Sequence, residues 1–209
     1  MDRRGFLVGV GALASLLAGC TDDRDAAAVP GNNTRRGPRG NDTVPPDLSF
    51  EITALKFDMT LPPRHTCDGA DISPELLVTT VSDAIDSLAV TFVDASTPEP
   101  YVHWLLWDLP AYVSTVPAGV PPRPRPELET DAEGLPETIV VTQGTNSAGF
   151  VGYAGPCPPK GDEPHTYLLR MYGLSEPADA EPGATYDELM RAIEGTVLST
   201  TVYGVRGKR

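Results

Sequence analysis

The chain has 209 residues, of which 40% are apolar and 22% are charged, a composition that supports a packed core and excludes wholesale disorder. The formal net charge of −13 argues against a general nucleic-acid binder, which needs a basic surface. The 22 prolines and 20 glycines favour a loop-rich, mostly β domain, and three cysteines are too few for a disulfide scaffold.

The N-terminus has the pattern of an export signal. Arg3 and Arg4 precede a short apolar run that ends at Ala18 and is too short for a membrane-spanning helix. Paired arginines are typical of twin-arginine signals, which export folded proteins. The sequence Leu-Ala-Gly-Cys at 17–20 resembles a lipobox, in which Cys20 becomes the lipidated first residue. We expect residues 1–19 to be a removable signal peptide and the protein to be lipid-anchored on the cell-surface face of the cytoplasmic membrane. An ordinary signal that ends near a cysteine is the alternative.

Residues 20–47 are predicted to be a disordered tether between that anchor and the folded part, because they lack apolar periodicity and are rich in Gly, Asn, Asp, Pro and Arg. Residues 48–209 form the predicted folded domain. They hold 23 acidic and 10 basic side chains, so the domain alone carries a net charge of −13. Only three lysines accompany thirteen arginines in the whole chain. Such acidity, poor in lysine, is typical of proteins from high-salt organisms, and an acidic protein from ordinary salt is the alternative.

Seven segments of the domain have the composition of β-strands and are separated by proline and glycine clusters. They are residues 50–57, 76–81, 88–93, 102–107, 138–142, 167–172 and 197–203. Residues 116–126 contain five prolines and are predicted to form an extended surface loop. One helix is indicated where Thr185 and Glu188 form a capping box and Gly195 provides a stop. Together these elements predict a mostly β fold, a β-sandwich with a peripheral helix.

The three histidines, His65, His103 and His165, stand out because the sequence lacks a P-loop, a Gly-rich dinucleotide loop and a G-x-S-x-G motif. His103 lies within a predicted strand, and strict alternation places it on the face of Leu105 and Trp107. A satisfied core histidine is the alternative to a functional one. An acidic residue, Asp94, follows the preceding predicted strand, where such a residue usually caps a turn.

Residues 144–167 form the segment that is richest in functional signals. Four glycines and three prolines between residues 149 and 161 exclude a helix or a central strand. A loop this constrained has a fixed shape, and we expect its backbone amides to face an anion. His165 follows at the start of a predicted strand. The alternative is a rigid connector with an incidental histidine.

Four blocks of the sequence, in order, resemble the phosphatidylethanolamine-binding protein family in its bacterial and archaeal Raf-kinase-inhibitor-like branch. Residues 66–74 resemble the branch's T-C-D-G-x-D-x-S-P block, and residues 94–98 stand where the family has D-P-D-A-P. Residues 102–110 begin Val-His-Trp and end Asp-Leu-Pro, similar to the family's H-W…N-I-P block. Residues 144–167 resemble G-x-N-x-x-G…Y-x-G-P-x-P-P-x-G…H-x-Y, and the resemblance covers about residues 50–207.

The resemblance implies a large antiparallel β-sandwich with a few short helices and a small anion pocket near one sheet edge. By motif position, Asp94, His103 and His165 line this pocket. The residues expected around them are Gly155, Pro158, Pro159 and Tyr167. Family members bind phosphate-like groups there, such as the head group of phosphoethanolamine, and no metal or cofactor is expected. A neutral imidazole donates one N–H to an anion and a protonated one donates two, while Asp94 would orient one ring by accepting its other N–H.

The sequence departs from the family pattern beside the expected pocket. Ala95 and Ser96 replace the family's first Pro and second Asp in the loop next to Asp94, and Asp108 replaces the usual Asn. Cys67 and Cys157 each lie in a matched block. Outside the cytoplasm they form a disulfide if their Cα atoms are within reach, or else remain two unpaired thiols, and the sequence leaves both open.

We therefore expect a lipid-anchored extracytoplasmic binding protein, and not an enzyme. It would hold a small anionic or phospholipid head group, or regulate a protein partner through the pocket. A small hydrolase that uses Asp94, His103 and His165 as a metal set or an acid–base pair is the first alternative, although no H-x-x-x-H or H-E-x-x-H spacing occurs. Inhibition of a protease or kinase, which the family name suggests, is the second. Residues 116–126 are then a candidate docking segment, against the plainer interpretation of a surface loop.

Overall fold

The computed structural model describes residues 45–130, 134 and 136–209. The expected signal peptide, Cys20 and most of the expected tether lie outside these residues. The described residues belong to one compact unit. The two cores that the structure describes are built from buried apolar residues between Leu48 and Val205.

The described residues form ten strands, one α-helix and a short 3-10 turn at Pro63–His65. The strands are β1 (Leu48–Ile52), β2 (Leu76–Val81), β3 (Ser87–Asp94), β4 (Tyr101–Pro110), β5 (Thr115–Val116), β6 (Glu127–Glu129), β7 (Thr138–Val140), β8 (Thr142–Gln143), β9 (His165–Leu174) and β10 (Val197–Gly207). The helix, α1, is Tyr186–Ala192.

The strands form an antiparallel sandwich, as the sequence predicted. One sheet has the order β1-β2-β5, a second has the order β10-β9-β3-β4-β8, and β6 and β7 make a separate hairpin. The main core lies between the two larger sheets, where Phe50 and Val78 meet Phe92 and Trp104. The other face of the five-stranded sheet is covered by α1, through Leu189 and Ile193. Strand β3 is therefore buried on both faces along its whole length.

Most predicted strands are present, but three details of the prediction were wrong. The strand expected at 50–57 ends at Ile52, and a tight turn follows it. The strand expected at 138–142 is two strands with different partners, β7 on β6 and β8 on β4. The proline-rich segment 116–126 is not wholly superficial, because Val116 and Val120 are buried in the core. The predicted helix is confirmed, with the Glu188 carboxylate accepting hydrogen bonds from the Thr185 amide and hydroxyl at 2.8 and 2.7 Å.

Candidate functional site

A β-bulge between β3 and β4 decides where His103 lies. Phe92 pairs with Trp104 and Val93 pairs with Val102, so His103 is the extra residue that faces no partner on β3. The bulge breaks the alternation of the strand. The prediction that His103 shares a face with Leu105 and Trp107 was therefore wrong.

The His103 ring instead packs among aromatic rings on the sandwich side of the sheet. Its centroid lies 5.5 Å from that of Phe92, 5.0 Å from that of Tyr101 and 5.2 Å from that of Tyr167. Its Nδ1 lies 2.6 Å from the carbonyl oxygen of Ala154. Because a carbonyl only accepts, Nδ1 carries the proton and Nε2 of the neutral ring is left as an acceptor. That Nε2 atom is buried and has no hydrogen-bond partner among the described residues.

Burial lowers the pKa of the His103 imidazole, although the Ala154 carbonyl and the Asp94 and Asp71 carboxylates act in the opposite direction. The imidazole is thus neutral near pH 7 when the site is empty. The sequence analysis considered donation to an anion by both the neutral and the protonated ring. The single N–H of the neutral ring is already used by Ala154, so only the protonated ring can donate to a ligand.

His165, the first residue of β9, is held by the carboxylate at the end of β3. Its Nδ1 donates to Oδ2 of Asp94 at 2.6 Å, and Oδ1 of the same carboxylate accepts the Ser96 amide at 2.8 Å. The Ser96 hydroxyl accepts the Thr166 amide at 2.8 Å, and the Ala95 amide donates to the Thr166 carbonyl at 2.9 Å. Ala95 and Ser96, which depart from the family pattern, therefore both have hydrogen-bond partners on β9. A proline at position 95 would lack the donor that Ala95 supplies.

The opposite wall of the site is built by Asp71, which the sequence analysis missed. Asp71 has a left-handed backbone with φ of 55°, which Asp tolerates better than most residues. Its Oδ1 accepts the Gly155 amide at 2.6 Å. A Cβ on Gly155 would lie 2.5 Å from that oxygen and 2.6 Å from the His65 carbonyl, so no side chain fits at position 155. The matched block at 66–74 was the available signal for Asp71.

A disulfide between Cys67 and Cys157 joins the same two segments, with the Cα atoms 5.4 Å apart. The Cys67 amide also donates to the Pro156 carbonyl at 3.3 Å. The expectation that the amides of the 149–161 loop face an anion is not met at its centre. The Gly155 amide is used by Asp71, and Pro156, Pro158 and Pro159 have no amide hydrogen.

All seven residues expected around the pocket line a single cavity of about 380 Å³. The residues that the sequence analysis did not place there are Cys67, Asp71, Thr97, Tyr101, Ala148, Phe150, Ala154 and Cys157. The charged lining is unusual for an anion site. Two carboxylates, Asp71 and Asp94, and two imidazoles line it, and among the described residues no Lys or Arg does. The Tyr167 hydroxyl is buried beside them without a hydrogen-bond partner in the described chain, and burial followed by the Asp94 charge raises its pKa well above the usual range.

The third histidine, His65, lies outside this cavity and has both ring nitrogens engaged. Its Nδ1 donates to the Ile72 carbonyl at 2.9 Å, and its Nε2 accepts from Nε of Arg64 at 2.8 Å. Burial lowers the pKa of His65. Within residues 45–130, 134 and 136–209, no three His, Cys, Asp or Glu side chains come together in a way that would hold a metal ion.

Residues 51–207 match the family model described as phosphatidylethanolamine-binding protein. The chain belongs to this family. It is 38% identical over 152 residues to a UPF0098 protein of Methanothermobacter thermautotrophicus, an alignment that covers 72% of this chain and 92% of that relative. It is 36% identical over 139 residues to a UPF0098 protein of Pyrococcus horikoshii, which covers 66% of this chain but only 65% of that relative.

Two solved structures share the fold of this family member. One is a phosphatidylethanolamine-binding protein homologue of Chlamydia trachomatis, with a TM-score of 0.63, 25% identity, and coverage of 78% of this chain and 97% of that one. The other is Escherichia coli YbcL, described as a member of the mammalian family, with a TM-score of 0.64, 24% identity, and coverage of 78% and 98%. Within the described residues of the present chain, no helix has the length and apolarity needed to cross a bilayer.

Proposed function

We propose that this member of a binding-protein family is exported, lipid-anchored through Cys20, and binds a phosphate-bearing head group between His103 and His165. The observation that carries the proposal is the buried Nε2 of His103, which has no partner in the described chain and lies in the same cavity as the Asp94–His165 pair. A buried polar atom without a partner costs free energy, so such an atom is commonly kept for a ligand.

The hydrogen bonds at Nδ1 determine what kind of ligand the two rings accept. Both Nδ1 atoms donate to protein oxygens, so each neutral ring offers only the lone pair of Nε2. A fully deprotonated phosphate oxygen also only accepts and cannot pair with that lone pair. A hydrogen bond between a phosphate and the neutral His103 ring therefore needs an added proton, either on that imidazole or on the phosphate. Because no Lys or Arg of the described chain lines the cavity, this proton supplies the compensating positive charge.

The remaining lining suits an amine at the other end of the ligand. Asp71 and Asp94 contribute carboxylates, and the rings of Tyr101 and Phe150 are partly exposed in the same cavity. Carboxylates and aromatic faces both stabilise an ammonium group. Phosphoethanolamine, which joins a phosphate to an amine, is therefore expected to bind more tightly than inorganic phosphate.

The contacts of the hydroxyl and thiol groups favour binding over hydrolysis. The two cysteines of the cavity are joined to each other, which removes the thiolate as a nucleophile. The Thr97 hydroxyl donates to the Glu99 carbonyl at 2.6 Å. A disulfide also suits an exported protein, because such bonds persist in oxidising compartments.

Titration calorimetry on residues 45–209 in concentrated potassium chloride tests the pocket, with phosphoethanolamine, inorganic phosphate and ethanolamine as separate ligands. We expect saturable binding of phosphoethanolamine that His103→Ala and His165→Ala each weaken by at least about tenfold, the value of one charge-assisted hydrogen bond. Tyr112→Ser, on an exposed residue that does not line the cavity, is the matched control. Absence of binding by all three ligands would overturn the proposal.

The anchor needs its own experiment. Mass spectrometry of the mature protein, expressed in the source cells, is expected to show a lipid-modified N-terminal Cys20. Cys20→Ser should release the protein from the membrane fraction, and Arg3→Lys with Arg4→Lys should block export. An unmodified mature N-terminus at another residue would refute the lipoprotein assignment.

A further inference from the structure

A tight turn after β1 presents an aromatic side chain to solvent. The Met59 amide donates to the Lys56 carbonyl at 2.9 Å, which places Phe57 at the first corner of the turn. The Phe57 side chain is fully exposed, with a relative accessible surface of 106%. Such a position is usually occupied by a polar residue or proline, and a large apolar side chain there gains nothing from the fold.

The turn is held in place by backbone contacts on both sides. The Lys56 amide donates to the Thr60 carbonyl at 2.9 Å, and the Arg206 amide donates to the Met59 carbonyl at 2.7 Å. Thr60 and Arg206 also form an isolated β-bridge. The exposure of Phe57 is thus fixed by the end of β10.

Cationic side chains surround this turn, although the domain is strongly acidic. Lys56, Arg206 and Lys208 line one surface pocket of about 250 Å³, and none of them has an ion-pair partner within 4 Å in the described chain. Arg209 is paired with Asp68 at 2.8 Å beside the same pocket. We call Lys56, Phe57, Arg206, Lys208 and Arg209 the basic face.

The charge of the basic face is opposite to that of the domain. It carries four of the 10 basic residues in 48–209, where 23 residues are acidic. Two carboxylates close to the basic face, Asp58 and Asp68, have partners within the described chain. Asp68 is bound by Arg209, and Oδ1 of Asp58 accepts the Thr60 amide and hydroxyl at 3.2 and 2.6 Å.

We propose that the basic face docks on an anionic phospholipid bilayer, with Phe57 inserted among the head groups. A fixed, exposed aromatic residue flanked by cations is the combination that peripheral proteins use at such surfaces, because the ring is apolar and the cations meet lipid phosphates. The screening length is ~8 Å at about 0.15 M salt and ~3 Å at about 1 M. At either salt the surface cations act on lipid phosphates that they contact, while the distant acidic residues are screened.

The basic face borders the cavity of the proposed head-group site. Thr66 and Pro156 line the pocket of the basic face, whereas their neighbours Cys67, Gly155 and Cys157 line the histidine cavity. Docking through the basic face would therefore bring the histidine cavity close to the lipid head groups. The docking does not require the cavity to be filled, so it goes beyond the proposed function and can be tested separately from it.

Vesicle co-sedimentation of residues 45–209 tests the proposal. We expect binding to vesicles of phosphatidylglycerol and phosphatidylcholine in equal parts and none to phosphatidylcholine alone. Lys56→Gln, Arg206→Gln and Lys208→Gln should each weaken binding about fivefold, and Phe57→Ser about tenfold. All four residues are exposed, so these variants keep their fold. Arg191→Gln on α1 and Tyr112→Ser are the matched cationic and aromatic controls and should bind as the parent protein does.

Fluorescence gives a direct readout of insertion. Both native tryptophans are fully buried, so Phe57→Trp adds a single exposed emitter whose emission should shift to shorter wavelength on anionic vesicles. Docking does not need the histidine cavity to be free, so saturating soluble phosphoethanolamine, which would occupy that cavity, should leave vesicle binding unchanged. Failure to bind anionic vesicles at about 0.15 M salt would overturn the docking proposal. Binding lost in the lysine and arginine variants but unaltered in Phe57→Ser would overturn the insertion of Phe57 among the head groups.

Discussion

Asp94 binds His165 and Ser96 with different oxygens of one carboxylate, at 2.6 Å to Nδ1 of His165 and 2.8 Å to the Ser96 amide. The carboxylate therefore fixes the tautomer of His165 and also ties the loop after β3 to the start of β9. His103 reaches the same state differently, through the Ala154 carbonyl. Both rings line the cavity with Nδ1 already used as a donor. Burial lowers the pKa of His103, so protonation of His103 should govern the pH dependence of any anion that binds there.

Phosphoethanolamine binding is expected to take up a proton. Burial lowers the pKa of His103 in the empty site, and a bound phosphate would raise it. Affinity should therefore fall by up to about tenfold per pH unit as the pH rises from about 6.5 to 8.5. Calorimetry in two buffers of different ionisation enthalpy measures the proton uptake directly. His103→Gln keeps a hydrogen-bonding side chain that does not titrate, so its affinity should vary less with pH. Equal pH profiles for the two proteins would exclude His103 as the group that takes up the proton.

Acid should destabilise the empty protein through its buried histidines. The pKa values of His103 and His65 are lowered in the fold, mainly by burial, so the unfolded chain binds more protons below about pH 6.5. The contribution of the two neutral rings to the free energy of unfolding should be complete above that pH. It should decrease as the pH falls, by at most about 1.4 kcal/mol per pH unit for each histidine. Urea unfolding at about pH 7.5, 6.5 and 5.5, which bracket the ordinary histidine pKa, would measure the decrease in the free energy of unfolding. Phosphoethanolamine should recover part of the loss, because it favours the protonated His103. Stability that rises on acidification would contradict the assignment of neutral buried rings.

The Cys67–Cys157 disulfide is expected to contribute both to stability and to the shape of the cavity. It closes a loop with a sequence separation of 90 residues. A crosslink of that span stabilises by about 4.6 kcal/mol in the chain-entropy description. The double variant Cys67→Ser/Cys157→Ser, which leaves no lone thiol at the pair, should lose about that amount in urea unfolding. It should also bind phosphoethanolamine more weakly, because the bond holds together the two segments that carry Asp71 and Gly155.

A reductant provides the control for the disulfide. The reductant should lower the urea midpoint of the parent protein to that of the double variant, and it should leave the urea midpoint of the double variant unchanged. A parent protein that is indifferent to a strong reductant under unfolding conditions would show that the bond makes no contribution of this size.

Secondary-structure elements whose sequence signals are local were predicted correctly. The capping box at Thr185 and Glu188 depends on residues three apart, and the helix formed where it was predicted. The predicted strand at 76–81 was likewise correct to the residue, because its β-rich composition is bounded by turn residues. The resemblance to the family added Asp94, His103 and His165, which are far apart in sequence yet line one cavity.

What the sequence did not reveal depends on how distant segments are paired. The bulge at His103 results from a one-residue register shift between β3 and β4, and no local sequence pattern marks that position. The role of Asp71 depends on its approach to Gly155, 84 residues away. The sequence analysis expected Asp94 to accept an N–H from one ring, as His165 shows, but not that the Ala154 carbonyl accepts the Nδ1 proton of His103, which leaves only the protonated form of that ring as a donor to a ligand.

The Asp that replaces the family's Asn at position 108 should behave as a structural equivalent. Asp108 lies in a second bulge, where Trp107 and Asp108 together face the single residue Ala89, and its φ of 57° is in the left-handed region. Its Oδ2 accepts the Thr142 hydroxyl at 2.6 Å. Asp108→Asn keeps both the tolerance of this backbone and an oxygen acceptor, so its free energy of unfolding should stay within about 0.5 kcal/mol of the parent. Asp108→Ala loses both features and should cost about 2 kcal/mol. Urea unfolding of the two variants distinguishes these outcomes, and an alanine variant as stable as the asparagine variant would show that the left-handed turn makes no demand on its side chain.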